Sequence, residues 1–133
     1  MYSERLRDHY ANPRNTGSIV EPSGRALVKS PFDSDTVLVT LCIKNGVVED
    51  VKFKCMGCAV AIACSSMATE MVIGKPVEEA YQVSEQAVAD ALDGIPEYKM
   101  RCSNLAPAAI RQAIDAWRSA STGLDSCDSR ALL

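Results

Sequence analysis

Three features predict an α+β fold: an alternating strand pair around an Asn-Gly turn, a change to helical patterning after Gly57, and a final amphipathic helix. The order along the chain is helix, strands, helices, with no internal repeat. The spacing predicts a short helix from Ser3 to about Ala11. Ser3 caps it, Leu6 and Tyr10 share a face, and Asn12-Pro13 ends it. Asn15 to Gly24 is turn-rich. Arg25 to Ser30 reads as a short strand, interrupted by Pro31.

Asp35 to Lys44 is the clearest strand. Val37, Val39, Leu41 and Ile43 alternate with Thr36, Thr40 and Cys42. Asn45-Gly46 suits a two-residue hairpin turn because both positions tolerate positive φ. Val47 to Cys55 returns as the partner strand, with Val51, Phe53 and Cys55 on one face and Asp50, Lys52 and Lys54 on the other. One buried and one wetter face are expected.

Cys58 to Ile73 reads as a buried helix of small and apolar residues stopped by Gly74. Pro76 starts another helix through Tyr81, and Ser84 caps a third that runs to Gly94. After the Ile95-Pro96 break, Ser103 or Asn104 caps the last helix. Pro107 lies in its first turn, and Ile110, Ile114 and Trp117 form its apolar stripe. Residues 1–121 are expected to form a single domain. From about Thr122 the chain is rich in Ser, Asp and Gly without periodicity, and 122–133 reads as a flexible tail.

A chain of 133 residues, 47% hydrophobic and 23% charged, can bury a core without disulfide staples. A net charge of −3 and a pI near 5.1 supply no basic footprint for nucleic acid or anionic membranes. The first residues are charged and lack an apolar h-region, so no secretory signal is expected. The uncharged stretch Cys55–Thr69 is too short to span a bilayer. A cytoplasmic protein is expected. In that reducing setting, six cysteines argue for metal or thiol chemistry rather than a disulfide framework.

The informative side chains stand at element boundaries. Cys58 opens a helix, where free N–H groups and the helix dipole favour a thiolate, and Cys102 precedes another. Asp33 and Asp35 lie just before the hairpin, where carboxylates can ligate a cation. These points could converge at one end of a sheet. Cys55-Met56-Gly57-Cys58 is a CxxC whose spacing suits zinc, a cluster or a redox disulfide. The βαβ context of a thioredoxin site is missing. Equally, Cys55 can simply be the last inward residue of its strand. Cys64, about 120° around the helix from Cys58, reads as core. Cys42 is mid-strand, and Cys127 lies in the tail as an incidental residue. His9, the one histidine, reads as a surface or interface residue on the first helix, and a Ser–His–Asp hydrolase has no local support. No glycine-rich loop for phosphate is present.

Several segments together resemble one family. Tyr2-Ser3-Glu4 and Asp8-His9-Tyr10-Ala11-Asn12-Pro13-Arg14-Asn15-Thr16-Gly17 look like the opening of IscU/NifU-type scaffolds. Gly57-Cys58-Ala59-Val60-Ala61-Ile62-Ala63, then Ser65 to Glu70 and Gly74-Lys75-Pro76, resemble the central cysteine motif and its helix. Arg101-Cys102-Ser103, followed by Leu105-Ala106 and Ala109-Ile110, resembles the third cysteine motif. The similarity spans residues 2 to about 118 in order.

The resemblance implies a three-stranded antiparallel sheet with helices packed on it (the SufE/NifU type). It implies an iron–sulfur cluster assembly scaffold or carrier rather than an enzyme, which takes iron and the sulfur of a cysteine desulfurase into a [2Fe-2S] cluster. The cluster then passes to apo-protein clients. Zinc occupies the same ligands, and an Hsp70-type chaperone is a further partner, with the scaffold a monomer or homodimer. By position, Cys58 and Cys102 are the second and third cysteines, and Asp35 is the aspartate that keeps the cluster labile.

The departures are specific. The family's first motif is Cys-Gly-Asp, and here it is Asp33-Ser34-Asp35. The third motif has His or Lys before its cysteine, and here it is Arg101, which stays protonated and cannot ligate a metal. Of the chaperone motif Leu-Pro-Pro-Val-Lys, Ile95-Pro96-Glu97-Tyr98-Lys99 keeps part. The insertion of SufU relatives is absent. The ligand set is therefore Asp33, Asp35, Cys58 and Cys102, or Cys55 replaces the missing thiolate, or two protomers share one cluster. Oxygen ligands suit zinc or iron(II) better than a durable cluster. Two other functions stay open: a degenerate paralogue that binds the desulfurase and regulates assembly, and a persulfide sulfur acceptor at Cys102 or Cys58.

Overall fold

The computed structural model describes residues 2–31, 34–120 and 128–132. An antiparallel sheet in the order β2-β3-β4 carries the helices: β2 is Gly24–Lys29, β3 Thr36–Lys44 and β4 Val47–Met56. The three-stranded α+β arrangement expected of the family is present. Asn45 and Gly46 take φ of 54° and 73°, the left-handed conformation that a two-residue hairpin turn requires. The turn sets the pairing of β3 with β4, interrupted once by a register shift between Cys42 and Ile43.

The helices are α1 (Glu4–Ala11), α2 (Ala59–Val72), α3 (Val77–Tyr81), α4 (Glu85–Ala91) and α5 (Leu105–Ala120). The core lies between the sheet and helices α2 and α5. Val37, Val39, Leu41, Val51 and Phe53 of the sheet meet Val60, Cys64, Ala68, Ile110 and Ile114. α2 buries nearly all its circumference, as its run of small and apolar residues up to Glu70 predicts. β2 runs so close to α5 that a Cβ at Gly24 would lie 2.1 Å from the Ala113 carbonyl oxygen.

Three elements depart from the sequence reading. The turn-rich stretch contains a strand, β1 (Ser18–Glu21), and Glu97–Ser103 forms a 3-10 helix before α5. In the segment read as a flexible tail, Asp128–Leu132 forms β5, antiparallel to β1, while 121–127 and Cys127 lie outside the described residues. Pairing of this kind joins backbone N–H and C=O groups on a strand edge, so it leaves no hydrophobic period to read. β1 also covers the second face of β3. Thr40, on that face, is 2% exposed and its hydroxyl accepts the Ile19 N–H at 3.0 Å. The alternation in β3 therefore hides a strand buried on both sides.

The capping prediction for α1 holds. The Ser3 hydroxyl accepts the Leu6 N–H at 3.0 Å and donates to the Leu92 carbonyl, which ties α1 to the end of α4. His9, expected as a surface or interface residue, is 5% exposed and lies where α1 packs on α2. Its Nδ1 lies 2.8 Å from Ser66 Oγ and its Nε2 3.3 Å from Glu70 Oε1, so it pins α1 to α2. Ser66 Oγ also accepts the Arg14 N–H at 2.9 Å. Its own proton is then free for His9 Nδ1, which assigns the imidazole proton to Nε2, facing Glu70.

Burial holds the His9 pKa below its ordinary value of 6.5, with Arg14 adding to the effect and Glu70 and Asp8 opposing it. The unfolded chain therefore binds the proton more readily. Stability is full above the unfolded pKa and is lost as pH falls toward the lower folded value. Asp8, held low by Arg14, titrates beneath that window. The urea midpoint is expected to drop between about pH 7.5 and 5.5, with a slope of at most ~1.4 kcal/mol per pH unit from this one group. His9→Gln should flatten the profile. A variant with the parent's pH dependence would show that His9 does not cause it.

Candidate metal centre

The β3–β4 register builds the site. Thr36 pairs with Met56 and Val37 with Cys55, so one step further along the pair Asp35 stands beside Gly57, and Cys58 follows. The Asp35 carbonyl also accepts the Ser30 N–H at 2.9 Å, which closes the β2–β3 connection behind it. Cys58 occupies the N-cap of α2 with extended backbone (φ −74°, ψ 170°), as its position predicts. Its side chain makes no capping hydrogen bond, so the sulfur is left for another partner.

That partner is Cys102. The two sulfurs lie 3.5 Å apart. Cys102 was expected at a helix start, but it sits in the last turn of the 3-10 helix. The next residue, Ser103, is fully buried and donates to the Met100 carbonyl at 2.6 Å. Cys102 is 4% exposed. Burial pushes its thiol up to about 12, with the Cys58 sulfur and the Asp35 carboxylate acting the same way and Lys99 opposing. The helix-start argument thus fails for Cys102, because the preceding 3-10 helix presents its C-terminal end there. Lys99 was missed as part of the site. Lys99 precedes Cys102 by one turn of the 3-10 helix, and its charge favours the Cys102 thiolate.

Asp35, Cys58 and Cys102 offer ligand atoms that all lie within 4.8 Å of one another. Two sulfurs bound tetrahedrally at about 2.3 Å would stand roughly 3.8 Å apart. The 3.5 Å separation is within a few tenths of that, so two thiolates and one carboxylate oxygen fit three of the four positions of a zinc or iron ion.

The other candidates fall differently. Asp33 lies outside the described residues. Cys55 keeps its inward parity and is half-buried, but it does not join the group of three. Burial pushes its thiol up to about 11, with the Ser65 hydroxyl opposing. Cys64 is fully buried core, as expected, and burial drives its thiol upward. Cys42 is buried in β3 and disulfide-bonded, which removes it from the available thiols. Arg101 is exposed beside Cys102.

A sequence model of the NifU-like N terminal domain matches residues 1–122. The iron-sulfur cluster assembly scaffold protein IscU 1 of Archaeoglobus fulgidus is 49% identical over 114 residues, covering 86% of this chain and 74% of its own. The IscU of Haemophilus influenzae is 43% identical over 117 residues, covering 85% and 92%. Among solved structures, the N-terminal NifU-like protein of Brucella abortus superposes with a TM-score of 0.75 at 24% identity. That match covers 87% of this chain and 93% of the other, and supports the fold.

Removing either thiol should abolish metal binding while sparing the fold. Cys58→Ala and Cys102→Ala are expected to lose at least about tenfold in zinc affinity. Their melting temperatures should stay near the parent's, because few core atoms are removed. Competition with a chromophoric chelator measures the affinity. Parent-like zinc binding by both variants would refute the site.

Proposed function

This chain belongs to the family of the NifU-like N terminal domain, and from that premise we propose that it is a scaffold and carrier for iron–sulfur cluster assembly. The observation that carries the reading is the convergence of Asp35, Cys58 and Cys102, from a strand entry, a helix cap and a 3-10 helix, on one point. The cargo is iron, zinc or a [2Fe-2S] cluster. Sulfur comes from a cysteine desulfurase, and the product passes to apo-protein clients in the cytoplasm. An Hsp70-type chaperone engages the segment from Ile95 to Lys99. The protein holds cargo and performs no catalytic step of its own. Among the described residues, no helix is long and apolar enough to cross a membrane.

The ligand chemistry accounts for release. A mixed oxygen–sulfur set binds iron or zinc less exclusively than four thiolates do, and an oxygen ligand gives way to an incoming ligand from donor or client. Asp33 is the proposed fourth ligand, with Cys55 as its alternative. The Cys102 thiol, whose pKa is raised, must lose its proton to bind metal, so cargo is held less tightly as pH falls. The same raised value disfavours Cys102 as the sulfur-attacking nucleophile of the persulfide-acceptor reading.

Anaerobic reconstitution with iron, cysteine and a cysteine desulfurase tests the proposal. Visible charge-transfer bands with equal iron and sulfide are expected. A colourless protein that still forms a complex with the desulfurase would replace this reading with the regulatory paralogue.

A further inference from the structure

Gly57 stands between Cys55 and Cys58, yet nothing in its backbone demands glycine. The positive-φ glycines are Gly17, Gly46, Gly74 and Gly94, and Gly57 is not one of them. The constraint is one of space. A Cβ at position 57 would lie 2.8 Å from Asp35 Cγ and 3.1 Å from each of its carboxylate oxygens. At Gly46, Gly74 and Gly94 a Cβ would meet nothing within 4 Å. Position 57 is thus where the Asp35 carboxylate lies flat against bare backbone.

We propose that Gly57 is a positioning residue for the metal centre: its missing Cβ is the space that lets the Asp35 carboxylate reach the Cys58–Cys102 sulfur pair. The inference rests on the metal-binding reading above and deepens it. Asp35 and Gly57 lie against each other one step beyond the Thr36–Met56 pair that ends β3 and β4. Without a Cβ at position 57, the carboxylate comes within 4.8 Å of both sulfurs. A methyl group there collides with the end of a short side chain rather than with backbone or core. The collision is relieved when Asp35 rotates away. The fold tolerates that rotation, and the site does not, because a ligand set works only when held within about 0.5 Å of its geometry.

This predicts a coupling readable in a double-mutant cycle. The full chain, made metal-free, is titrated anaerobically with cobalt(II) as parent, Gly57→Ala, Asp35→Ala and the double variant. Sulfur-to-cobalt charge-transfer bands report the two thiolates, and the d–d bands report the oxygen ligand and geometry.

Gly57→Ala should weaken cobalt binding by about tenfold, the usual cost of disturbing a ligand's support. Its d–d bands should move to those of Asp35→Ala, with charge-transfer intensity preserved. Added to Asp35→Ala, the same change should alter affinity by less than about twofold.

An equal loss in both backgrounds, no loss in the parent background, or an Asp35→Ala protein that binds like the parent would overturn the proposal. Should Gly57→Ala fail to fold, the double variant decides. Recovery of the fold traces the fault to the Asp35 carboxylate, and continued failure assigns Gly57 a backbone role instead. A parent without thiolate bands would remove the metal-binding reading itself. Parent bands with a purely additive cycle would remove only the role of Gly57.

Discussion

The register between β3 and β4 is the constraint on which the rest depends. The left-handed pair Asn45-Gly46 sets it, and the apolar residues of both strands enforce it. A slip of one residue would turn Val37, Val39, Leu41 and Ile43 away from α2 and α5. The same slip would take Asp35 away from Gly57 and leave Cys58 at the α2 cap without its carboxylate neighbour. The hydrophobic pattern that builds the core is therefore also what aims the ligands.

The site works against the electrostatics of its surroundings. It brings two thiols to 3.5 Å and sets a carboxylate within 4.8 Å of both. Burial alone makes the anionic form of Cys102 expensive, and the neighbouring sulfur and carboxylate add to that cost. A divalent cation removes the conflict, because it attracts all three groups and replaces the thiol protons. Lys99 supplies a smaller, permanent counter-charge from the 3-10 helix. A group this poised gains much from a bound cation.

The fold was legible wherever local physics decided it. Ser3 is a hydroxyl cap, Asn45-Gly46 is a turn that needs positive φ, α2 is small and apolar up to Glu70, and α5 carries Ile110 and Ile114 four residues apart. What stayed hidden depended on distant partners. β1 and β5 form by edge pairing, Thr40 is buried because β1 crosses it, and His9 is enclosed because Ser66 and Glu70 wait on α2. The 3-10 helix lies in a segment with Pro96 and no apolar period, where sequence pattern offers little. Within the site, Asp35, Cys58 and Cys102 were legible from their places at element boundaries and from the family motifs. Gly57 was not, because a side chain that must be absent shows itself only in three dimensions.

The account's central claim is that two sulfurs and a carboxylate oxygen share one ion. X-ray absorption at the zinc edge of the zinc-loaded chain tests that most directly. The expected first shell holds two sulfurs near about 2.3 Å, with oxygen filling the remaining positions near about 2.0 Å. Three sulfurs beside one oxygen would make Cys55 the fourth ligand, whereas a shell of four sulfurs, or one with none, would contradict the claim. Four sulfurs would bring a second protomer into the centre, and none would place the metal elsewhere.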